Sequence, residues 1–229
     1  MPTDTQSKYI VPIAIVAAGL LIAGAVYLSA GKNTSVPVIA DNNPSIANVD
    51  MQGEPFIGDS NAPVTLAYWL DFQCPFCQRF DLQTLPMIVD NYVKIGKLKI
   101  VFKDFQFLGA DSQDAGLAAK AVWELYPKSY FKWHQTMFNA QDGENSGFGD
   151  INSIIQLIRK ETPEIDADKI AKHVQEKRSE YQQEQDADKA EGGSFGISGT
   201  PGFVIGSQTI SGAQPINVFT QLIDAELNN

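Results

Sequence analysis

Cysteine and histidine are scarce in this chain, two of each in 229 residues. Two cysteines exclude a disulfide-stapled scaffold and a four-sulfur zinc site, and two histidines leave little for histidine-based metal chemistry. Basic residues are also few: 17 Lys+Arg stand against 27 Asp+Glu, a net charge of −10. A surface for DNA or RNA uses Lys and Arg to release counterions from phosphates, so the balance argues against nucleic acid as a partner. No internal repeat, Gly-rich phosphate loop, Ser-His-Asp arrangement or pair of catalytic carboxylates can be read from the spacing. Apolar side chains, in contrast, are present in ordinary amount (44 % hydrophobic, 10 % aromatic), enough for a folded domain. Both cysteines fall within four residues of each other.

The longest uncharged stretch runs from Tyr9 to Ala30, 22 residues. A bilayer core takes about 20 apolar helical residues, whereas the apolar region of a signal peptide has roughly 7–15. Residues 1–30 therefore read as a single-pass membrane anchor. A cleaved signal peptide, with Ala23-Gly24-Ala25 as its small-x-small site, stays open. On either reading the rest of the chain is exported to the extracytoplasmic side of the cell membrane. Residues 31–52, rich in Asn, Ser, Pro, Val and Ala without any period, read as a flexible linker with a reach of roughly 25 Å. Residues 53–229 are then one domain.

Within that domain the apolar period changes several times. The β-branched and aromatic run 64–70 predicts a buried strand, and 98–105 a second. Between them, Pro75 to about Asn91 predicts a helix bent near Pro86. Asp111 or Ser112 is placed to cap a helix filled by 115–126 and broken by Pro127. Residues 129–140 predict another helix. Asp150 caps a third, whose Ile151, Ile154, Ile155 and Ile158 form one stripe. The stretch 166–191 is long and charged, with Ile170, Val174 and Tyr181 as a thin seam; its acidic residues 161–191 read as a solvated face. Strands at 203–205 and 209–210 and a helix from Pro215 close the chain. The order is β-α-β, a helical insertion at about 111–191, then β-β-α: an α/β fold.

The chemistry lies in Cys74-Pro75-Phe76-Cys77. The first strand ends at Leu70 and the helix begins near Pro75, whose fixed φ and missing N–H suit the first helical position. Cys74 then sits at a helix N-terminus, where unpaired N–H groups and the positive dipole end favour an anionic sulfur. Cys77, three residues on, shares its face at a separation a disulfide can bridge. Such a thiolate attacks disulfides or leaves from them. Cys74 is expected to be accessible and Cys77 to be shielded by the next turn of helix. A zinc half-site would need two more ligands, and only His134 and His173 exist, 57 and 96 residues beyond Cys77 and without finger spacing. Farther along, Ser198-Gly199-Thr200-Pro201-Gly202 precedes a strand. A Thr-Pro bond there can be cis and exposes the Thr200 backbone as an edge for a peptide.

These motifs together resemble the DsbA family of thioredoxin-fold thiol-disulfide oxidoreductases, in its membrane-anchored prokaryotic form. The residues that carry the resemblance are Asn61-Ala62-Pro63-Val64-Thr65, Asp71-Phe72-Gln73-Cys74-Pro75-Phe76-Cys77, Lys103-Asp104-Phe105, Phe195-Gly196-Ile197-Ser198-Gly199-Thr200-Pro201 and the run 210–215. It spans about 54–226 and implies a thioredoxin-like fold with a helical insertion. It also implies Cys74 as attacking and Cys77 as resolving cysteine, Pro201 as a cis-proline facing them, and a redox-active Cys74–Cys77 disulfide with no other cofactor and no metal. Implied partners are unfolded or reduced exported proteins and a quinone-linked membrane oxidoreductase of the DsbB-like or VKOR-like kind.

Two positions depart from the family. Many relatives carry a buried carboxylate where Tyr68 stands, to help move protons off the resolving thiol; Asp71, Lys103 and Asp104 are the nearby candidates, though Lys103-Asp104 reads as an ordinary charged strand end. Strongly oxidising members have His where Phe76 stands. Phe76 offers no charge to hold the thiolate and adds an apolar contact for unfolded substrates, which implies a milder oxidant. His134, among aromatic residues, reads as core, His173 as surface, and Trp69 and Trp123 as packing. Beside the oxidase, three readings stay open: a reductase or isomerase kept reduced by a membrane donor, a redox-inactive chaperone, and a metal-delivery module.

Overall fold

The structure, a computed structural model, describes residues 44–144 and 146–229. The expected anchor and most of the expected linker lie outside them. Among the described residues, no helix is long and apolar enough to cross a membrane.

Five strands form one sheet: β1 (Phe56–Ile57), β2 (Val64–Leu70), β3 (Leu98–Asp104), β4 (Gly202–Ile205) and β5 (Gln208–Ser211), in the order β1-β3-β2-β4-β5. The central strand, β2, runs parallel to β3, with Val64 opposite Leu98 and Leu70 opposite Asp104, and antiparallel to β4, with Tyr68 opposite Phe203. Strands covered on both faces lack polar alternation, and every residue of β2 except Thr65 is buried. Its two faces still serve different cores. Leu66, Tyr68 and Leu70 join Ile100, Phe102, Phe203 and Ile205 in the main core, while Ala67 and Trp69 pack with Phe105, Ile197 and Val204 behind the sheet. The short edge strand β1, antiparallel to β3, has too few residues to show a period in the sequence.

Between β2 and β3 runs α1, residues 75–93. It alternates α turns (Pro75–Arg79, Leu85–Ile88) with π turns (Phe80–Thr84, Val89–Val93). Pro86 has no N–H to give the carbonyl four residues back. The helix meets this with a widened turn just before it, in which the Leu85 N–H bonds the Phe80 carbonyl.

The helical insertion comprises α2 (Ala110–Leu125), α3 (Tyr130–Ala140), α4 (Ile151–Glu161) and α5 (Ala167–Ser194), and α6 (Ile216–Leu227) follows β5. Asp150 caps α4 by accepting the Ser153 N–H at 2.7 Å, and Asp166 caps α5 through Lys169. The start of α2 differs from expectation. Its N-cap is Gly109, at φ 101°, a left-handed value that glycine adopts without steric cost. Ser112 lies inside the helix, its hydroxyl drawn to the Asp71 carboxylate at 2.5 Å. Near the end of α5, Gly192 lets the backbone reach the Trp69 indole: a Cβ there would stand 2.9 Å from the ring.

Three further expectations are corrected. Residues 46–52 are not linker: the Ile46 N–H bonds the Gly206 carbonyl at 2.8 Å, the Asp50 N–H bonds Glu191 at 2.6 Å, and Val49 is buried behind the sheet. The domain therefore begins before Gly53. Lys103-Asp104 is not an ordinary charged strand end, and the acidic residues of α5 are not all solvated. Lys103 is 2 % exposed and pairs with Asp188 (2.6 Å), Glu54 and Glu191 (both 3.2 Å). Lys120 from α2 pairs with Asp104 (3.2 Å), Asp188 (3.6 Å) and Glu54 (3.7 Å). A cavity of about 780 Å³ opens over this network, between the 50–55 segment, α2 and α5.

Candidate active site

The two sulfurs lie away from that cavity, at the end of the central strand, where several elements fix the chain. Asp71 turns it after Leu70: Oδ1 accepts the Gln73 N–H (2.9 Å), and Oδ2 accepts the Phe107 N–H (3.0 Å) and the Ser112 hydroxyl (2.5 Å). Burial nonetheless raises the Asp71 pKa above its ordinary value, opposed by those donors. The amide of Gln141, after α3, donates to the carbonyls of Phe72 (2.6 Å) and Cys74 (3.2 Å). The insertion thus holds the active-site loop from outside the sheet. No sequence signal marks Gln141, which sits just past the helix in an ordinary polar stretch.

Cys74 is the N-cap of α1 with Pro75 at the start of the helix. Both cysteines are thiols in this structure. The Cys74 pKa falls from 9.0 to about 6. The largest cause is a hydrogen bond with the Cys77 side chain; Thr200 and the N–H groups of Cys77 and Phe76 add to it, and burial opposes it. This is the thiolate site that the helix N-terminus implies. Cys77 shows the reverse: burial, then the hydrogen bond and charge of Cys74, push its thiol well above the ordinary range.

The expected accessibility of Cys74 needs correction. It is 3 % exposed, against 0 % for Cys77, because the Thr200 loop lies against it and the Cys74 thiol points at the Thr200 carbonyl at 3.4 Å. The Thr200–Pro201 bond is cis and Pro201 is buried. Phe76 stands apart from the sulfurs' enclosure. It is 54 % exposed, with the Arg79 guanidinium 5.1 Å over its ring. Cys74, Cys77, Thr200 and Pro201 thus come together, and Phe76 forms an exposed apolar rim beside them.

The position opposite Cys77 holds what the sequence did not signal. The Tyr68 hydroxyl donates to Asp81 Oδ2 at 2.5 Å, and His134 Nε2 lies 2.6 Å from Asp81 Oδ1. Tyr68, Asp81 and His134 are all fully buried. The carboxylates named as candidates near Tyr68 are engaged elsewhere, Asp104 with Lys120 and Asp71 in the loop; the carboxylate that meets Tyr68 is Asp81, which was not among them. Its only trace in the sequence is its place four residues after Cys77, one turn along α1.

Comparison with known proteins adds a common framework. A family model described as thioredoxin matches residues 50–225. The chain is 25 % identical over 177 residues to "Disulfide bond formation protein D" of Bacillus subtilis (strain 168), covering 77 % of this chain and 78 % of that protein. It is 24 % identical over 135 residues to "Probable disulfide bond formation protein D" of Bacillus anthracis; there it spans 59 % of this chain and only 62 % of the relative's length. The crystal structure of oxidised BdbD from Bacillus subtilis superposes with a TM-score of 0.71 at 23 % identity, covering 79 % of this chain and 96 % of that one. That likeness extends to the fold.

Proposed function

Because this chain belongs to the thioredoxin family, we propose that it is an exported thiol-disulfide oxidoreductase that donates its Cys74–Cys77 disulfide to reduced exported proteins. The observation that carries this reading is the placement of the two thiols: Cys74 at the N-cap of α1 against the Thr200 carbonyl, where its pKa is lowered, and Cys77 buried one turn behind it. A thiol lowered from 9.0 to about 6 stabilises the reduced form at neutral pH, on the order of one kcal/mol for each tenfold gain in ionisation. Stabilising the dithiol makes the disulfide a better oxidant. Cys77 stays protonated over that range and does not offset the gain. With no cation at position 76 to lower the thiol further, the protein is a mild oxidant.

In this reading Cys74 carries the bond to substrate, Cys77 resolves it, and Pro201 and the Thr200 backbone hold the substrate chain beside the sulfurs. Phe76 supplies apolar contact to unfolded segments. The two sulfurs are the whole redox group, and a quinone-linked membrane oxidoreductase restores the disulfide. The names of the Bacillus relatives support disulfide formation as the direction. The test is stoichiometric: the oxidised full-length protein should form disulfides in a reduced, unfolded ribonuclease, one per protein consumed. Activity only as a reductase of insulin, with no transfer to ribonuclease, would reverse the assigned direction.

We further propose that residues 1–30 anchor the domain on the extracytoplasmic side, on the strength of the 22 uncharged residues from Tyr9 to Ala30 and the length a bilayer requires. Retention in the membrane pellet after alkaline carbonate washing is the expected result. A soluble exported protein beginning after Ala25 or Ala30 would refute it.

A further inference from the structure

Glutamines flank the two cysteines, and both flanking side chains reach into the helical insertion. Gln73, just before Cys74, donates from Nε2 to the Phe148 carbonyl at 2.9 Å. Gln78, just after Cys77, donates to the Phe138 carbonyl at 2.9 Å and to the Gln141 carbonyl at 3.3 Å. Gln141, the C-cap of α3, points the other way: its Nε2 donates to the carbonyls of Phe72 and Cys74 at 2.6 and 3.2 Å. Its Oε1 is shut off from solvent and has no hydrogen-bond partner. An amide oxygen left bare in this way costs free energy, and an apolar side chain of the same length would avoid that cost. What the amide supplies in return is the pair of donations to the active-site loop.

We propose that Gln141 is a positioning residue for the attacking cysteine: it locks the Phe72 and Cys74 carbonyls so that the Cys74 sulfur stays against the N-terminus of α1 and the Thr200 carbonyl. The proposal rests on the exchange reading given above. As N-cap, Cys74 holds its sulfur beside the first turn of α1, where N–H groups lack helical partners, while its own carbonyl accepts the Gln78 N–H at 3.1 Å. Sulfur and carbonyl hang from one backbone unit, so a carbonyl that turns away from the helix carries the sulfur with it. Phe72 is 2 % exposed, and a buried carbonyl that loses its donor rotates toward another. That rotation would reach Cys74, whose N–H is bonded to the Asp71 carbonyl at 3.0 Å. Facing Cys74 are Cys77 from α1, Asp71 from the preceding loop and the uncharged Thr200 loop. Arg79 is turned to the Phe76 ring and the Ala213 carbonyl, and Asp142, beside Gln141, to the Phe148 N–H at 3.2 Å. The lowered Cys74 pKa draws on Cys77, Thr200 and backbone N–H groups, contacts that hold only while the Cys74 backbone keeps its place.

The test titrates the reduced full-length protein, following the ultraviolet absorbance of the thiolate, with thermal unfolding recorded alongside. The wild-type midpoint is expected at about 6. Gln141→Met keeps the length and removes both donations. Its midpoint should rise by about half a unit to one unit, the size of a lost hydrogen bond expressed as a pKa shift. Alkylation by iodoacetamide at about pH 6 should slow roughly threefold, and the two proteins should converge above about pH 8, where both are thiolate. Gln141→Asn keeps an amide but withdraws it by one methylene, so its midpoint should move the same way, and it decides the matter if Gln141→Met does not fold. A lowered melting temperature with the midpoint unmoved makes Gln141 a structural residue only and overturns the proposal, as does a midpoint that falls. A wild-type midpoint at about 8.5, that of a free thiol, overturns the exchange reading itself and the proposal with it.

Discussion

Cys77→Ser should accumulate substrate proteins as mixed disulfides on Cys74, and Cys74→Ala should accumulate almost none. The asymmetry follows from the opposite pKa displacements of the two thiols. At pH 7 a thiol of pKa about 6 is about nine-tenths thiolate and is both the stronger nucleophile and the better leaving group. Burial holds Cys77 as the neutral thiol, so it acts only on a disulfide already formed at its neighbour. Removing Cys74 should cut exchange by about three orders of magnitude or more, as expected when a nucleophile is lost. Serine is the better replacement at position 77 because the hydrogen bond from that side chain is the largest cause of the low Cys74 pKa. Cys77→Ala lacks the donor, so its thiolate should need a higher pH to form. Acid quenching, alkylation and non-reducing gels read the adducts. Equal trapping by both single variants would show that the roles are wrongly divided.

Lys103→Met is expected to be the most destabilising single change away from the sulfurs. Lys103 is 2 % exposed; it donates to the Asp50 carbonyl at 2.8 Å and pairs with Glu54, Asp188 and Glu191. Methionine fills a similar volume but leaves Glu191 without its cation and Asp188 and Glu54 with Lys120 alone, a loss of about 3–5 kcal/mol for a broken buried pair. In a domain of this size that lowers the melting temperature by roughly 10 °C. Unfolding in denaturant with an unchanged midpoint would contradict it. The same network gives a pH signature. Burial and the neighbouring Asp188 charge push the Glu54 carboxyl from 4.5 up to about 8, against Lys120 and Lys103. A carboxyl whose folded pKa is raised contributes stability that is complete below its unfolded pKa and is lost as pH rises through the folded one. The wild type should therefore lose stability between about pH 4.5 and 8, and Glu54→Gln should flatten that window.

What could be read from the sequence was what a short segment reveals by itself. The run 64–70 is apolar because both its faces are covered, and Asp150 and Asp166 announce helices because a cap acts within three residues. Cys74 and Cys77 could be placed because strand end, proline and spacing all lie within eight residues. What escaped notice depends on distant partners. Asp81 is one acidic residue on a helix until Tyr68 and His134, 13 and 53 positions away, close around it. Lys103 and Asp104 look like the polar end of a strand because their partners come from residue 54, α2 and the far end of α5. Residues 46–52 resembled a linker because one short 3₁₀ turn, Ile46–Asn48, has no period to detect. The overall α/β order could be inferred, but the buried charges could not.

The π turns of α1 also bear on how this chain tolerates a change in length. A π turn holds one residue more than an α turn, and deleting a residue from it returns the helix to ordinary winding without rotating the later turns. Leu82 and Gln83, exposed within the first π turn, lie where such a deletion can be absorbed. Leu85, Ile88 and Tyr92 would still face the core. The same deletion in the middle of α2, where Ala118 to Val122 are all buried in unbroken α-helix, turns every later residue by about 100°. Insertions and deletions among relatives of this chain are therefore expected to gather at residues 80–84 and to spare the helices of the insertion.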